Sequence, residues 1–202
     1  MLSFLPGPVK GILSLSLYVI NTIFWTLVLF SIAILKLCVP APAWRTLCSK
    51  VMIGSGNIWI FFNNCNMRLI HKIHWDVEGT DGLKMNRWYL VVANHRSWVD
   101  ILVLQKVFNR RIPMLKFFLK QVLIWVPVLG LAWWALDFPF MKRYSHQFIR
   151  KHPHLAGKDM EITRKACRKF RYTPVSVMNF VEGTRFTKAK HAKQRSPYAH
   201  LL

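Results

Sequence analysis

The chain combines a strongly basic charge with a hydrophobic composition. Its 202 residues include 29 Lys and Arg against 8 Asp and Glu, and 53% of the residues are hydrophobic. This length excludes several large domains, and four scattered cysteines without paired spacing exclude a disulfide framework and a cysteine zinc site. The charge indicates a polyanionic partner, and the abundance of Trp and Phe favours an anionic membrane over nucleic acid.

The first predicted element is a membrane-spanning helix near the N-terminus. Residues 11–35 carry no charge, and at ~1.5 Å per helical residue they exceed the ~30 Å hydrocarbon core of a bilayer. A cleaved signal peptide is the alternative, because Ala41-Pro42-Ala43 resembles a cleavage site, but the apolar run is longer than a signal sequence needs. More basic residues follow the run than precede it, which predicts a cytoplasmic location for the rest of the chain.

A second apolar segment covers residues 51–62. It is too short to cross a bilayer and contains Gly54, Gly56 and Asn57, so we predict that it lies in the membrane interface. The chain is therefore divided into an N-terminal membrane anchor with an interfacial segment, residues 1–70, and a single α/β domain, residues 71–202.

The predicted domain alternates short β-rich runs with helical stretches. Strands are expected at residues 73–77, 88–93, 112–115 and 175–181, and helices at 97–108 and 159–171. The run 88–93 is almost continuously apolar, which is typical of a strand buried on both faces. The aromatic stretch 117–140 is interrupted by Lys120 and Pro127, and we expect it to be buried or to face the membrane.

A histidine and an aspartate, His95 and Asp100, stand five residues apart where a predicted strand gives way to a predicted helix. A neutral imidazole can take the proton of an attacking hydroxyl, and a carboxylate on its other nitrogen orients the ring and stabilises the imidazolium. The alternative is structural, with Ser97 as the helix N-cap and Asp100 as its capping-box partner. The two interpretations are compatible.

Three segments together resemble the lysophospholipid acyltransferases, a family that includes the 1-acylglycerol-3-phosphate acyltransferases. Residues 94–100 match the family's His-x-x-x-x-Asp block, and residues 130–143 match a glycine-containing hydrophobic block that ends in basic residues. Residues 180–185 match Phe-Pro-Glu-Gly-Thr-Arg, with Val181 at the proline position. The blocks occur in the family's order, which is more specific than any one of them.

The resemblance implies an α/β fold with the mixed sheet of glycerolipid acyltransferases, tethered by the N-terminal anchor. It implies transfer of a fatty acyl group from an acyl thioester, acyl-coenzyme A or acyl carrier protein, to the free hydroxyl of a lysophospholipid such as 1-acyl-sn-glycerol-3-phosphate. His95 would be the base and Asp100 its partner. The residues that would bind the acceptor's phosphate and glycerol are Arg143, Glu182, Gly183, Thr184 and Arg185. Singly, each of these five also has an ordinary explanation as a surface charge or a turn residue.

The sequence contains no motif that indicates a metal ion or a cofactor. The histidine pairs at 71 and 74 and at 152 and 154 have no acidic or thiol neighbour at ligand spacing, so we expect no metal and no cofactor besides the acyl donor. Anionic membrane lipids are expected partners. Nucleic acid is not, because the aromatic residues cluster in apolar stretches instead of alternating with the basic ones.

The resemblance also bears on location and completeness. We expect a bacterial inner membrane or an organellar or endoplasmic reticulum membrane, with the active site facing the cytoplasm. Relatives continue beyond the third block, so the sequence is expected to be truncated at its C-terminus. The alternatives to an active enzyme are an inactive membrane-anchored fragment, another non-enzymatic membrane protein and a basic nucleic-acid binder.

Overall fold

Two long helices form the N-terminal part of the computed structural model, which describes residues 4–142, 146–151, 157–171, 173–181 and 185–192. Helix α1 covers Gly7–Cys38 and helix α2 covers Pro42–Ile70, and each has a proline in its first turn, where the missing N–H costs no hydrogen bond. Helix α1 has the length and apolar composition of a membrane-spanning helix, as the run 11–35 predicts.

The two helices pack against each other as an antiparallel hairpin. Asn21 donates hydrogen bonds from Nδ2 to Oδ1 of Asn63 at 2.8 Å and to the carbonyl of Trp59 at 3.1 Å. Nearer the start of α1, Nδ2 of Asn66 donates to the carbonyl of Ser14 at 2.9 Å. These bonds satisfy polar groups that would otherwise be costly to bury between two apolar helices.

The segment 51–62, which was predicted to lie in the membrane interface, is the middle of the longer helix α2. Its glycines do not interrupt the helix, and Gly56 permits close packing, since a Cβ there would lie 2.9 Å from Cε of Met114. Polar residues on α2 are accommodated by α1 through the bonds from Asn21.

The rest of the described chain mixes short strands with short helices. In chain order the elements are β1 (Tyr89–Ala93), α3 (Val99–Phe108), β2 (Leu115–Phe117), β3 (Leu119–Lys120), a 3₁₀ helix (Gln121–Trp125), α4 (Leu129–Ala135), β4 (Phe140–Met141), α5 (His146–Lys151), α6 (Lys158–Cys167), another 3₁₀ helix (Arg168–Arg171), β5 (Ser176–Phe180) and α7 (Lys188–Ala192). The predicted strands 88–93 and 175–181 and the predicted helix 97–108 are confirmed. The predicted helix 159–171 is observed as α6 and the 3₁₀ turn that continues it.

The main sheet has three parallel strands in the order β1-β5-β2. Tyr89 pairs with Ser176 and Ala93 with Phe180, so β1 and β5 end side by side. Strands β3 and β4 form a separate parallel pair. All described strand pairs are parallel, so the mixed sheet implied by the resemblance is not seen in this part of the chain.

Three strand predictions need correction. Residues 73–77 form no strand, because no described strand lies alongside to supply hydrogen bonds. The strand predicted at 112–115 begins only at Leu115, since the residues before it are buried in a loop without ladder partners. Strand β1 is not buried on both faces: Leu90 and Val92 are 71% and 52% exposed, because only the opposite face packs on the core.

One hydrophobic core joins the helical hairpin to the sheet. Its buried members come from both parts of the chain: Leu29, Ala33, Met52, Ile60, Ile112, Met114, Leu115, Phe117, Ala132, Ala135, Leu136, Phe138 and Met178. The aromatic stretch 117–140 contributes several of these, whereas Trp125 and Trp134 of the same stretch are exposed. The stretch is therefore buried only in part.

Gly130 is the buried glycine at which we expect an added methyl group to be tolerated least. A Cβ there would lie 2.7 Å from the carbonyl carbon of Ile124, which is backbone and cannot rotate aside. We expect Gly130→Ala to lower the free energy of unfolding by ~1–3 kcal/mol. Thermal unfolding of the purified chain in detergent measures this.

Gly54→Ala is the matched control, since a Cβ at this helical glycine meets nothing within 4 Å. The added helix propensity is expected to stabilise the chain by ~0.5–1 kcal/mol. Equal effects of the two substitutions would contradict the packing described for Gly130.

Candidate active site

The predicted pair of His95 and Asp100 is formed in the structure. Strand β1 ends at Ala93 and α3 begins at Val99, so the two residues face each other across the turn between strand and helix. Nδ1 of His95 lies 3.0 Å from Oδ2 of Asp100. Their side chains are 13% and 26% exposed, which keeps the pair partly shielded from water while leaving it accessible to a substrate.

The carboxylate of Asp100 is also fixed by the backbone of the turn. Its Oδ2 accepts hydrogen bonds from the N–H of Arg96 at 2.7 Å and from the N–H of Ser97 at 2.8 Å. Oγ of Ser97 in turn accepts the N–H of Val99 at 3.1 Å. Helix α3 has Trp98 and not Ser97 at its N-cap position, but Asp100 does accept the N–H of Ser97 as the capping interpretation predicts, and the same oxygen orients His95.

This arrangement decides which nitrogen of His95 is available for chemistry. An ionised carboxylate accepts hydrogen bonds and cannot donate them, so Nδ1 carries the proton and Nε2 has the free lone pair. Among the described residues, none forms a hydrogen bond with Nε2, and no Ser, Thr or Cys side chain bonds the ring. The imidazole is thus oriented to take a proton from an incoming group.

The same contacts set the charge of Asp100. Burial alone would raise the pKa of its carboxyl, but the N–H of Ser97, the side chain of His95 and the N–H of Arg96 outweigh burial and hold the pKa below its usual value. The carboxylate is therefore ionised at neutral pH.

The lowered pKa of Asp100 predicts a pH-dependent contribution to stability. Because the folded pKa is below the unfolded value of about 4, the contribution is fully present above that pH and is lost as pH falls through the folded pKa. We expect the difference in unfolding temperature between the chain and Asp100→Asn to be constant near neutral pH and to shrink under acid conditions. Glu78→Gln, on an exposed loop, controls for the change in net charge, and a difference that grows on acidification would contradict the assignment.

A stack of aromatic rings supports the imidazole from behind. The ring of Phe180, the last residue of β5, lies 4.0 Å from that of His95 with 17° between their planes. Phe117 continues the stack at 6.2 Å from Phe180, and Phe138 follows at 6.5 Å from Phe117. No role for Phe180 was predicted from the sequence, where the available signal was its place near the end of the predicted strand 175–181.

The last residue of the third block, Arg185, and the residue after it, Phe186, contact the turn that carries His95. The N–H of Phe186 donates to the carbonyl of His95 at 2.7 Å, and the guanidinium of Arg185 lies 4.7 Å from the ring of Trp98. The guanidinium of Arg96 lies 5.8 Å from the ring of Phe186. Among the described residues that were predicted to bind the acceptor, Arg185 thus contacts the turn that carries His95.

The other four predicted binding residues, Arg143, Glu182, Gly183 and Thr184, lie outside the described residues. On either side of residues 182–184 in the chain, Phe180 and Arg185 both contact the turn from His95 to Trp98. Within the described ranges, no three His, Cys, Asp or Glu side chains lie close enough together to hold a metal ion.

The site contains a histidine that a carboxylate orients at the end of a parallel strand. In the described chain, no hydroxyl or thiol is bonded to this histidine. Such a site suits a transferase in which the base activates a hydroxyl of the substrate. The family model for acyltransferases matches residues 74–202, and the chain belongs to this family.

A curated relative and the solved structures add limited detail. The chain is 28% identical over 116 residues to an uncharacterized acyltransferase of Schizosaccharomyces pombe (strain 972), a match that covers 57% of this chain and 37% of the relative. The matched part of the chain therefore spans little more than a third of that relative's length. No solved structure matches the chain.

Proposed function

We propose that the chain transfers a fatty acyl group from an acyl thioester to the free hydroxyl of a lysophospholipid such as 1-acyl-sn-glycerol-3-phosphate. The observation that carries the proposal is the bond of His95 to Asp100, which leaves Nε2 of a partly shielded imidazole free. Membership of the acyltransferase family supports the transfer of an acyl group. The lysophospholipid acceptor rests on the resemblance of the three sequence blocks and on the basic residues among them.

The proposed reaction needs no acyl-enzyme. Nε2 of His95 takes the proton of the acceptor hydroxyl as its oxygen attacks the thioester carbonyl, forming a tetrahedral intermediate. When the carbon–sulfur bond breaks, the imidazolium returns the proton to the departing sulfur, and the products are a phospholipid and a thiol. Asp100 stabilises the imidazolium in between. Such a base contributes ~10²–10⁴ in rate, and positioning of the two substrates supplies much of the rest.

The acceptor's phosphate and glycerol would be held by the residues after β5 and after β4. A guanidinium binds phosphate oxygens with two parallel hydrogen bonds, which suits Arg143 and Arg185. We assign Glu182 to a glycerol hydroxyl and Gly183 to a close approach of backbone and ligand. The position of Arg185 beside Trp98 supports this assignment, because it places a cation next to the turn that carries the base.

The helical hairpin is proposed to hold the site at a membrane. Helix α1 directs large apolar side chains away from the protein, including Ile12, Leu15, Ile20 and Leu27. Next to the base, Trp98 and Val99 are also exposed, and we propose that the acyl chain lies across them. The membrane would be a bacterial inner membrane or an organellar or endoplasmic reticulum membrane, with the site on its cytoplasmic side. Because α2 returns the chain to the end where α1 begins, this location requires that the hairpin enter and leave the membrane from the cytoplasmic side.

The proposal is tested with membranes that contain the full chain. They are supplied with a labelled acyl thioester, as the coenzyme A ester or on acyl carrier protein, and with a panel of lysophospholipids that differ in head group. Monoacylglycerol, which has a free hydroxyl but no phosphate, is the control acceptor. We expect labelled phospholipid from at least one lysophospholipid and none from monoacylglycerol. Equal labelling of monoacylglycerol, or release of free fatty acid alone, would contradict the proposal.

A further inference from the structure

A cavity of about 270 Å³ that is open to solvent, with Arg68 and Lys72 exposed, lies at the opposite end of α3 from the candidate active site. Its lining residues come from the end of α2, the loop that follows and the last turn of α3: Met67, Arg68, His71, Lys72, Ile73, Trp75 and Lys106. Neither His95 nor Asp100 lines it. Lys106 is six residues beyond Asp100 on α3, about 9 Å along the helix axis at ~1.5 Å per residue.

The Lys and Arg side chains that line this cavity give it a positive charge. Arg68, Lys72 and Lys106 contribute three cations and no acidic residue lines the walls. Asp76 follows the lining segment in the chain, but in the described part of the protein none of these groups takes part in a salt bridge. Three uncompensated cations around one cavity form a site for an anion.

Stabilisation of helix ends explains only some of these cations. Arg68 and Lys106 lie in the last turns of α2 and α3, where a positive charge interacts favourably with the helix dipole. Lys72 lies beyond the C-cap of α2 and has no such role, yet it lines the same cavity.

The rest of the lining indicates what kind of anion fits. Met67, Ile73 and Trp75 give the cavity an apolar wall beside its cations, which suits a ligand with both a phosphate and hydrocarbon. The cavity also lies at the end of the hairpin where α1 begins, since Asn66, two residues before Arg68, bonds Ser14. Basic residues at the end of an apolar hairpin are placed at the level of lipid head groups.

We propose that this cavity binds the phosphate of an anionic phospholipid, as a site separate from the one that would hold the lysophospholipid acceptor. The cations of Arg68, Lys72 and Lys106 bind the phosphate oxygens, and the apolar wall contacts the glycerol and the first part of the acyl chains. The inference rests on the membrane association proposed for the hairpin and not on the reaction at His95.

Binding is tested on the full chain in detergent by native mass spectrometry, with dihexanoyl phosphatidylglycerol as the anionic probe and dihexanoyl phosphatidylcholine as the zwitterionic one. We expect Arg68→Gln/Lys72→Gln/Lys106→Gln to weaken phosphatidylglycerol binding by more than about tenfold, since one charge-assisted hydrogen bond is worth about that much. Arg45→Gln/Lys50→Gln, which removes charge from the other end of α2, is the matched control and should bind as the unaltered chain does.

Several results would overturn the inference. Equal binding of phosphatidylcholine would show that charge does not select the ligand, and equally tight binding of inorganic phosphate would assign the cavity to a soluble phosphate. Loss of phosphatidylglycerol binding in Arg185→Gln but not in the triple variant would place the lipid at the catalytic pair. A triple variant with a lower unfolding temperature and unchanged binding would show that the three cations stabilise the helix ends and do not bind the lipid.

Discussion

Replacing His95 by alanine is expected to lower the rate of acyl transfer by about 10²–10⁴-fold, the range that a general base contributes. The imidazole is the group positioned to accept the hydroxyl proton, because Asp100 holds its Nδ1 and leaves Nε2 free. Initial rates of labelled phospholipid formation by membranes carrying equal amounts of each variant measure the effect.

His74→Ala is the matched control, because His74 lies on the exposed loop after α2 and outside the described contacts of the catalytic pair. It should keep the activity of the unaltered chain. Circular dichroism and the unfolding temperature check that His95→Ala is folded. A folded His95→Ala variant with nearly full activity would remove His95 from the mechanism.

The second large effect is expected from Asp100→Asn, which we predict to slow acyl transfer by ~10²–10⁴-fold without unfolding the chain. The amide oxygen can still accept the N–H groups of Arg96 and Ser97, so the turn is retained. The amide has no negative charge, however, so it binds the Nδ1 proton more weakly and does not stabilise the imidazolium by charge.

Asp137→Asn is the control for loss of a carboxylate, since Asp137 lies 4.0 Å from Lys36 and away from His95. Its acyl-transfer rate should match that of the unaltered chain. If Asp100→Asn lowers only the unfolding temperature and keeps the rate, Asp100 serves the turn alone and the capping interpretation is sufficient.

Much of the local structure could be predicted because it depends on neighbouring residues. The apolar runs predicted β1, β5 and α1, and the helical spacing of apolar residues predicted α3. Helix α2 was not recognised as one element because its polar residues break the hydrophobic pattern. Some of those residues are bonded to a partner far along the chain, as Asn63 is to Asn21, and a local pattern does not contain that information.

The candidate site, too, could be predicted from the sequence only in part. His95 and Asp100 could be paired from the sequence because they stand five positions apart across one turn. The contacts of Phe180 with His95 and of Arg185 with Trp98 join residues more than eighty positions apart. They arise from the parallel register of β1 and β5, which the sequence does not specify.

Direct transfer by His95 is tested most directly by asking when the thioester is cleaved. The purified chain is mixed with labelled acyl thioester alone, then with lysophospholipid, and both thiol release and protein-bound label are followed in the unaltered chain and in His95→Ala. The proposal predicts thiol release only when the acceptor is present, no label on the protein, and loss of both thiol and phospholipid in the variant. Stoichiometric acylation of the protein before the acceptor is added would contradict it.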